Sequence, residues 1–357
     1  VSGDRVFLTG ASGFVGAHVL RELIASGYEV RALSRTSTLC HPELVEGRPS
    51  KLSHPEVSKD PERSERSASE VEGRVQIVTG DLRYPGEWAQ ALYGCRYVIH
   101  CAALYSFAPS DRVLTHKVNV VGTASLLEAA RVAGVERVVL TSSSATLGAA
   151  HDGRPRTEAD WATEGRGASS YHHSKLEQER AAFAGRVPVV ALLPTAPVGP
   201  GDWKPTPTGQ MILDFARGKM VVKPPRGGLN LVPVEDVARA HVTALQRARV
   251  GERYILGGEN LLLDQVWELL AQVTGKPLPH WRIPDAVALG VAYADELRCR
   301  VQRGAQPSVP LEGVRMSRER MFADSAKAQR ELDFRAGSVR DALERAVRWY
   351  RAHGYCN

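Results

Sequence analysis

The sequence predicts an α/β protein, a doubly wound parallel sheet with a smaller C-terminal substrate lobe. Three observations lead there. Short apolar runs alternate with stretches of helical periodicity through the first half of the chain. The first run ends in the glycine turn Thr9-Gly10-Ala11-Ser12-Gly13-Phe14-Val15-Gly16. The 357 residues exceed the roughly 100–200 of one domain, so a second lobe is expected.

The elements follow in order. Arg5 to Thr9 reads as the first strand. From Val15 to Ser26, apolar residues (Val15, Val19, Leu20, Leu23, Ile24) recur at helical spacing, and Gly27 is the expected C-terminal cap. Glu29 to Ser34, Val75 to Val78, Tyr97 to Cys101, Arg137 to Leu140 and Val187 to Leu193 read as further strands. Leu114 to Ala133 and Ser169 to Phe183 read as helices. In the second half Val234 to Arg247 is expected to be helical, and Arg253 to Leu256 a strand returning to the sheet. Leu263 to Thr274, Asp285 to Val301 and Val339 to His353 read as helices of the smaller lobe. The expected division is 1–193 with 231–257 for the sheet domain, and 194–230 with 258–357 for a substrate lobe over the strand ends, where ligands of open parallel sheets bind. Residues 37–73 carry no apolar periodicity and are rich in Ser, Pro, Glu, Arg and Lys. They read as a flexible surface insertion.

Composition narrows the function. Net charge is +6, spread along the chain, and no basic stretch has interleaved aromatics. That argues against nucleic acid and for a small anionic ligand. Cys40, Cys95, Cys101, Cys299 and Cys356 are odd in number and lack metal-ligand spacing, so free thiols, a reducing compartment and no metal are expected. No apolar run approaches the ~18 residues of a membrane span, and no signal peptide is visible. A cytoplasmic protein without stable membrane insertion is expected.

A strand, then Gly10-x-x-Gly13-x-x-Gly16, then a helix is the context that gives a glycine pattern meaning. Glycine permits the tight turn and close approach of a pyrophosphate to backbone, and the helix N-terminus offers N–H groups and a positive dipole end. A nicotinamide dinucleotide is the expected cofactor, held by Gly10, Ser12, Gly13, Phe14, Val15 and Gly16. An acid at the end of the second strand would bind the ribose hydroxyls of NAD and repel a 2′-phosphate. That strand ends Val30-Arg31-Ala32-Leu33-Ser34-Arg35, without an acid. The Arg35 guanidinium suits a phosphate, so NADP is expected ahead of NAD.

Tyr171 and Lys175 are spaced to share one helical face. A neighbouring ammonium favours phenolate, so Lys175 is expected to bring Tyr171 into working range as an acid–base group. His172 and His173 are expected at the surface or the substrate rim.

These motifs resemble the extended branch of the short-chain dehydrogenase/reductase superfamily, whose sheet is Rossmann-type. The resemblance implies adenine contacts from Asp81 and Leu82 and close passage of the cofactor over Cys101, Ala102 and Ala103. It also implies cofactor contacts near Thr141 and Ser142, and Pro194 and Val198 beside the nicotinamide. Asn119-x-x-Gly122-Thr123 matches the family's helix pattern. Counting five positions back from Gly148, as the family does, gives Ser143 as the catalytic hydroxyl, with Ser142 and Ser144 as alternatives. Homodimers through the Asn119 and Tyr171 helices are implied as well.

The branch includes reductases, epimerases and dehydratases. Ser144-Ala145 stand where dehydratases carry an Asp-Glu pair, which argues against dehydration. Leu229 stands where nucleotide-sugar enzymes place an arginine on the substrate diphosphate, although Arg226 or Lys223 could substitute. Pro197 to Gly209, Gly228 to Val232 and Gly251 to Asn260 resemble bacterial hopanoid-associated sugar epimerases, which look like plant dihydroflavonol 4-reductases in their N-terminal half. The expected function is NADP-dependent reduction of a ketone or aldehyde, or oxidation of the alcohol, on a small-molecule substrate. An epimerase that retains its cofactor is the second reading, and a non-catalytic NADP sensor the third. Asp285 to Val301 is expected to pack as a lobe helix, with contact to a lipid-like substrate or a membrane surface as the alternative.

Overall fold

The structure is a computed structural model that describes residues 3–37, 73–106, 111–148, 153–162, 170–220, 222–223, 227–279, 281–282, 284–302 and 311–356. The elements, in chain order, are β1 (Arg5–Thr9), α1 (Phe14–Ala25), β2 (Glu29–Ser34), β3 (Val75–Thr79) and β4 (Tyr97–His100). Then come α2 (Arg112–His116), a π turn at Lys117–Val121, α3 (Gly122–Val132), β5 (Arg137–Thr141), α4 (Ser170–Ala184) and β6 (Val189–Pro194). The second half holds β7 (Ala196–Val198), α5 (Pro207–Ala216), β8 (Val222–Lys223), β9 (Gly228–Pro233), α6 (Val234–Arg247), β10 (Arg253–Leu256), β11 (Glu259–Leu262) and α7 (Leu263–Thr274). It ends with β12 (Trp281–Arg282), α8 (Asp285–Val301), α9 (Leu311–Met316), β13 (Arg320–Met321), α10 (Ala326–Leu332) and α11 (Val339–Ala352).

Seven strands form a parallel sheet in the order β3-β2-β1-β4-β5-β6-β10. This is the Rossmann-type order, and its direction reverses between β1 and β4, where such sheets bind nucleotides. Every residue of β4, β6 and β10 is buried, as expected of strands covered on both faces. Side chains alternate between two cores. Val6 and Leu8 pack with Leu20, Leu23, Val237 and Leu245 of α1 and α6. Phe7 points the other way, toward Trp88, Leu92, Leu126 and Ala130. The predicted return of Arg253–Leu256 to the sheet is met by parallel pairing of β10 with β6.

The single helix expected over Leu114 to Ala133 is instead broken. The π turn at Lys117–Val121 lies between α2 and α3. Such turns insert one residue and commonly mark functional sites; this one holds Asn119, which is fully buried. A second small sheet was not foreseen. It centres on β9, with β11 antiparallel and β7 and β13 parallel to it. Its strands are too short to show a period of two. Its core includes Phe215, Trp267, Trp349 and Tyr350 from α5, α7 and α11, with Phe215 stacked on Trp267 at 5.9 Å between ring centroids. After the lobe, α10 packs back on the large sheet through Ala328 and Leu332. Helix α8 has the predicted bounds. It buries the small Ala288 and Ala292 and leaves Val287, Val291, Tyr293 and Leu297 half exposed or more. Among the described residues no helix is long and apolar enough to cross a membrane. Most of the 37–73 stretch and Cys40 lie outside the described residues.

Candidate active site

The site is built on the carboxyl ends of β1, β4, β5 and β6. At the end of β1, Gly10 has φ +77°, and a Cβ there would stand 2.5 Å from the Ala102 backbone nitrogen. A Cβ on Gly16 would stand 2.0 Å from the Gly10 carbonyl oxygen. The turn therefore closes only with glycine at both places. Gly13 begins α1 without a side-chain cap, and the first turn of the helix has no acid. Ser12 and Gly13 are exposed, and Phe14 and Val15 partly so. Uncapped N–H groups at a helix N-terminus with an exposed approach fit a pyrophosphate.

Further along the same edge, Asp81 and Leu82 follow β3. The Asp81 carboxylate takes a two-point ion pair from Arg83, Nε to Oδ1 at 2.9 Å and Nη2 to Oδ2 at 2.8 Å. Arg83 and the nearby charge of Arg35 hold it below the usual carboxylate range. Arg35 is exposed at the bend after β2, so the structure brings Arg35 and Asp81 together. Leu82 is buried against α3: a Cβ on Gly122 would stand 2.9 Å from it, which gives the Asn119-x-x-Gly122 pattern a packing reason. Ala102 and Ala103 leave β4 beside Gly10, and Cys101 accepts a hydrogen bond from Thr141 at 3.2 Å. Pro194 closes β6, whereas Val198 lies in the core of the smaller lobe.

Tyr171 and Lys175 both lie buried on α4. The Ser143 hydroxyl faces the Tyr171 phenol and favours its charged form against the effect of burial, and the Tyr105 ring lies 4.2 Å from the Tyr171 ring between centroids. Ser143 is thus the serine brought to Tyr171. The Ser142 hydroxyl instead donates to the Glu179 carboxylate, and Ser144 opens a short 3-10 turn. Lys175 Nζ donates to the Thr141 carbonyl at 2.7 Å and to Gln178 Oε1 at 2.6 Å. The expected effect of Lys175 on Tyr171 is not what these groups produce. Burial, offset in part by Ser143, pushes the phenol up to about 12. Burial brings Lys175 down to about 8, with the Glu179 charge opposing that shift. The protein alone therefore holds a neutral phenol beside an ammonium of lowered pKa, an arrangement suited to donating a proton rather than taking one.

Behind these residues runs a buried polar network. Gln178 Nε2 donates to Thr123 Oγ1 at 2.7 Å, and Thr123 donates to the Asn119 carbonyl at 2.6 Å. His100 joins Thr123 and Thr9 through its two ring nitrogens, at 2.8 and 2.6 Å, and burial lowers it to about 3. Thr9 Oγ1 accepts from the Ala102 N–H at 3.2 Å. The network therefore ties Lys175 to the end of β1 and the crevice wall. His172 lies edge-on to Tyr171 at 6.0 Å and is lowered to about 4, mainly by burial.

Residues 6–257 match the profile of the NAD dependent epimerase/dehydratase family. The chain belongs to this family. It is 36% identical over 99% of its length to a Synechocystis sp. protein provisionally named dihydroflavonol 4-reductase, covering 96% of that protein. It is 31% identical over 97% of its length to sterol demethylase protein B of Methylococcus capsulatus, covering 98% of that protein. The crystal structure of gox2253 superposes with a TM-score of 0.79 at 35% identity, covering 99% of this chain and all of that one. Membership makes the chain an enzyme of the extended short-chain dehydrogenase/reductase type, and its fold and oxidoreductase character follow.

The blocks that resembled hopanoid-associated sugar epimerases make structural contacts here. Asp202 Oδ2 accepts from the Thr206 N–H and hydroxyl, both at 2.8 Å, and from the Tyr350 phenol at 3.2 Å. His18 of α1 is bonded to the Pro200 carbonyl at 2.9 Å. Asn230 Oδ1 accepts from Thr195 and the Gly258 N–H, both at 2.8 Å, which joins the post-β6 loop to β9 and the turn after β10. Leu229 packs against the lobe core, and Lys223 lies 4.0 Å from Asp264. Arg226 lies outside the described residues. Sequence reasoning missed Tyr105, Gln178, Glu179 and Arg253. Glu179 had a signal: it continues the Tyr171–Lys175 spacing by one more helical turn.

Proposed function

We propose that this enzyme is an NADP-dependent reductase that delivers hydride to the carbonyl of an apolar, ring-bearing small molecule. The observation that carries the reading is the buried Tyr171 phenol with the Ser143 hydroxyl beside it and Lys175 one helical turn on. In the reductive direction a ketone oxygen gains negative charge as its carbon receives hydride. Ser143 orients and stabilises that oxygen by hydrogen bonding, and Tyr171 passes it a proton. Lys175, anchored on Thr141 and Gln178, holds positive charge beneath the site. The bound cofactor supplies the hydride. Ser12, Gly13 and the N-terminus of α1 are proposed to hold its pyrophosphate, Arg35 its 2′-phosphate, Leu82 and Asp81 its adenine, and Cys101, Ala102, Ala103, Thr141 and Pro194 its passage to Tyr171. The small lobe is proposed to cover the substrate.

Three features support an apolar substrate. Leu229 occupies the place of a diphosphate-binding arginine, Tyr105 lies over the phenol, and α8 presents apolar side chains outward. The sterol-related name of the Methylococcus relative agrees. Epimerisation with retained cofactor is the second reading, favoured by the family description. Incubation with NADPH and a panel of ketones, aldehydes and nucleotide sugars tests both. Loss of NADPH absorbance with a ring ketone is expected. Interconversion of sugar epimers without net loss would overturn the reductase reading.

A further inference from the structure

Behind the serine loop lies a buried ion pair that touches no reacting group. Glu179 on α4 is fully buried, and Arg253 on β10 is 6% exposed. Arg253 Nε donates to Glu179 Oε1 at 2.5 Å. The other carboxylate oxygen, Oε2, accepts from the Ser142 hydroxyl. Arg253 also donates through Nη1 to the carbonyls of Glu158 and Asp160, at 2.8 and 2.9 Å, and through Nη2 to Thr146 Oγ1 at 2.8 Å. Its guanidinium lies over the Trp161 ring at 3.7 Å.

These bonds bracket Ser143. On one side Ser142 is held by Glu179, and its N–H donates to the Leu192 carbonyl at 2.7 Å. On the other side the Ser143 carbonyl accepts from Thr146 Oγ1 at 2.9 Å, the same atom that Arg253 holds. The two anchors of the catalytic serine thus share one ion pair. Glu179 also stands one helical turn beyond Lys175. The groups facing that ammonium are His100 at the end of β4 and Cys101 just after it, the Thr141 carbonyl from β5, and Gln178 and Glu179 from its own helix. Burial keeps His100 neutral and the Cys101 thiol protonated, so among these groups Glu179, shared with Arg253, is the carboxylate that favours the charged form of Lys175. A buried pair of this kind is often no more stabilising than apolar residues of the same volume, so stability alone does not account for it.

We propose that the Glu179–Arg253 pair is a positioning device for the hydride-transfer site, one that sets the Ser143 hydroxyl through Ser142 and Thr146 and holds the Glu179 carboxylate one helical turn from Lys175. The proposal rests on the reading of Tyr171, Ser143 and Lys175 as the reacting centre. Glu179→Gln, Glu179→Asp and the double variant Glu179→Gln/Arg253→Met test it, with folding checked by thermal melts. Two readouts are followed between pH 6 and 10: affinity for NADPH (or NADH if that binds tighter) by cofactor fluorescence, and reduction of 9,10-phenanthrenequinone. In Glu179→Gln the alkaline midpoint for cofactor affinity is expected about one pH unit lower, and turnover at least about ten-fold lower. Glu179→Asp restores part of both. The double variant melts near the wild type and restores neither. An unchanged midpoint and turnover in folded Glu179→Gln, or full recovery in the double variant, overturns the proposal and leaves the pair a structural staple. If the wild type binds cofactor but reduces no carbonyl, the parent reading fails, and the cofactor midpoints still decide this one.

Discussion

At the scale of single residues, chemistry and charge are separable. Replacing Tyr171 by Phe removes the proposed proton donor and keeps the ring beside Tyr105. A loss of about 100- to 10,000-fold in kcat/KM is expected, with cofactor affinity nearly unchanged by fluorescence titration. A sensor would keep its function in that variant. The pH profile assigns the second group. Tyr171, pushed up to about 12 by burial, stays protonated through the working range. Lys175, brought down to about 8 by burial, is charged below that value and loses its charge as pH rises through it. The kcat/KM for carbonyl reduction is therefore expected to fall above about pH 8, and an alkaline limb beyond pH 10 would detach Lys175 from the rate. The proposed place of Arg35 at the 2′-phosphate is read from cofactor choice. A charge-assisted hydrogen bond contributes about 1.5–3 kcal/mol, so Arg35→Asp should lower the NADPH-to-NADH ratio of kcat/KM by about ten- to a hundred-fold. An unchanged ratio would remove Arg35 from the 2′ site.

At the scale of elements, the turn from β1 into α1 is the most constrained piece. Gly16→Ala would put its Cβ 2.0 Å from the Gly10 carbonyl oxygen, an overpacking that typically costs about 1–3 kcal/mol. A lower melting temperature is expected together with weaker cofactor binding, because relief must move the Gly10 loop. A variant of unchanged stability and affinity would show that the turn has slack. This turn was legible in the sequence because its glycines sit between two unambiguous periodic segments. The seven-strand sheet was legible for the same reason, down to the return of β10. The π turn was not: one extra residue in a long apolar-periodic stretch is hard to see locally, and it shows only in the backbone pairing of Lys117–Val121, where Asn119 bonds the Leu104 backbone at 2.7 and 3.0 Å. The β9 sheet was hidden too, since strands of two to six residues that pair across long separations leave no local period. Within the candidate site, Tyr171 and Lys175 could be found by spacing, and Ser143 only through the family resemblance. The bond of the Ser142 hydroxyl to Glu179 could not be read from the sequence. Glu179 and Arg253 are 74 residues apart, beyond any local pattern.

At the scale of the whole molecule, the two cores of the large sheet leave one face of its helical layer uncovered. Val113 on α2, Val121 in the π turn and Val132 on α3 are 66%, 49% and 55% exposed, along the same layer that carries Asn119 inward. Apolar side chains in series on a helix layer mark a contact surface more often than isolated ones do. Helix α4 runs beside them, and His116 of α2 meets Glu177 of α4 at 3.4 Å, so the two helices present one continuous face. A twofold pairing of that face would bring two helices from each subunit together, a closed and self-complementary arrangement. A stable pair of this kind buries about 800 Å² on each partner, within reach of two helices of this length. Light scattering behind a sizing column is expected to give a dimer mass at micromolar concentration. Val121→Asp, which places a charge at the centre of the face, should shift the protein to monomer while its melt stays cooperative. A monomeric wild type, or a Val121→Asp variant that remains dimeric, would move the subunit contact elsewhere. Val121 is exposed and is not among the residues proposed to hold the cofactor, so the monomeric variant should still bind it.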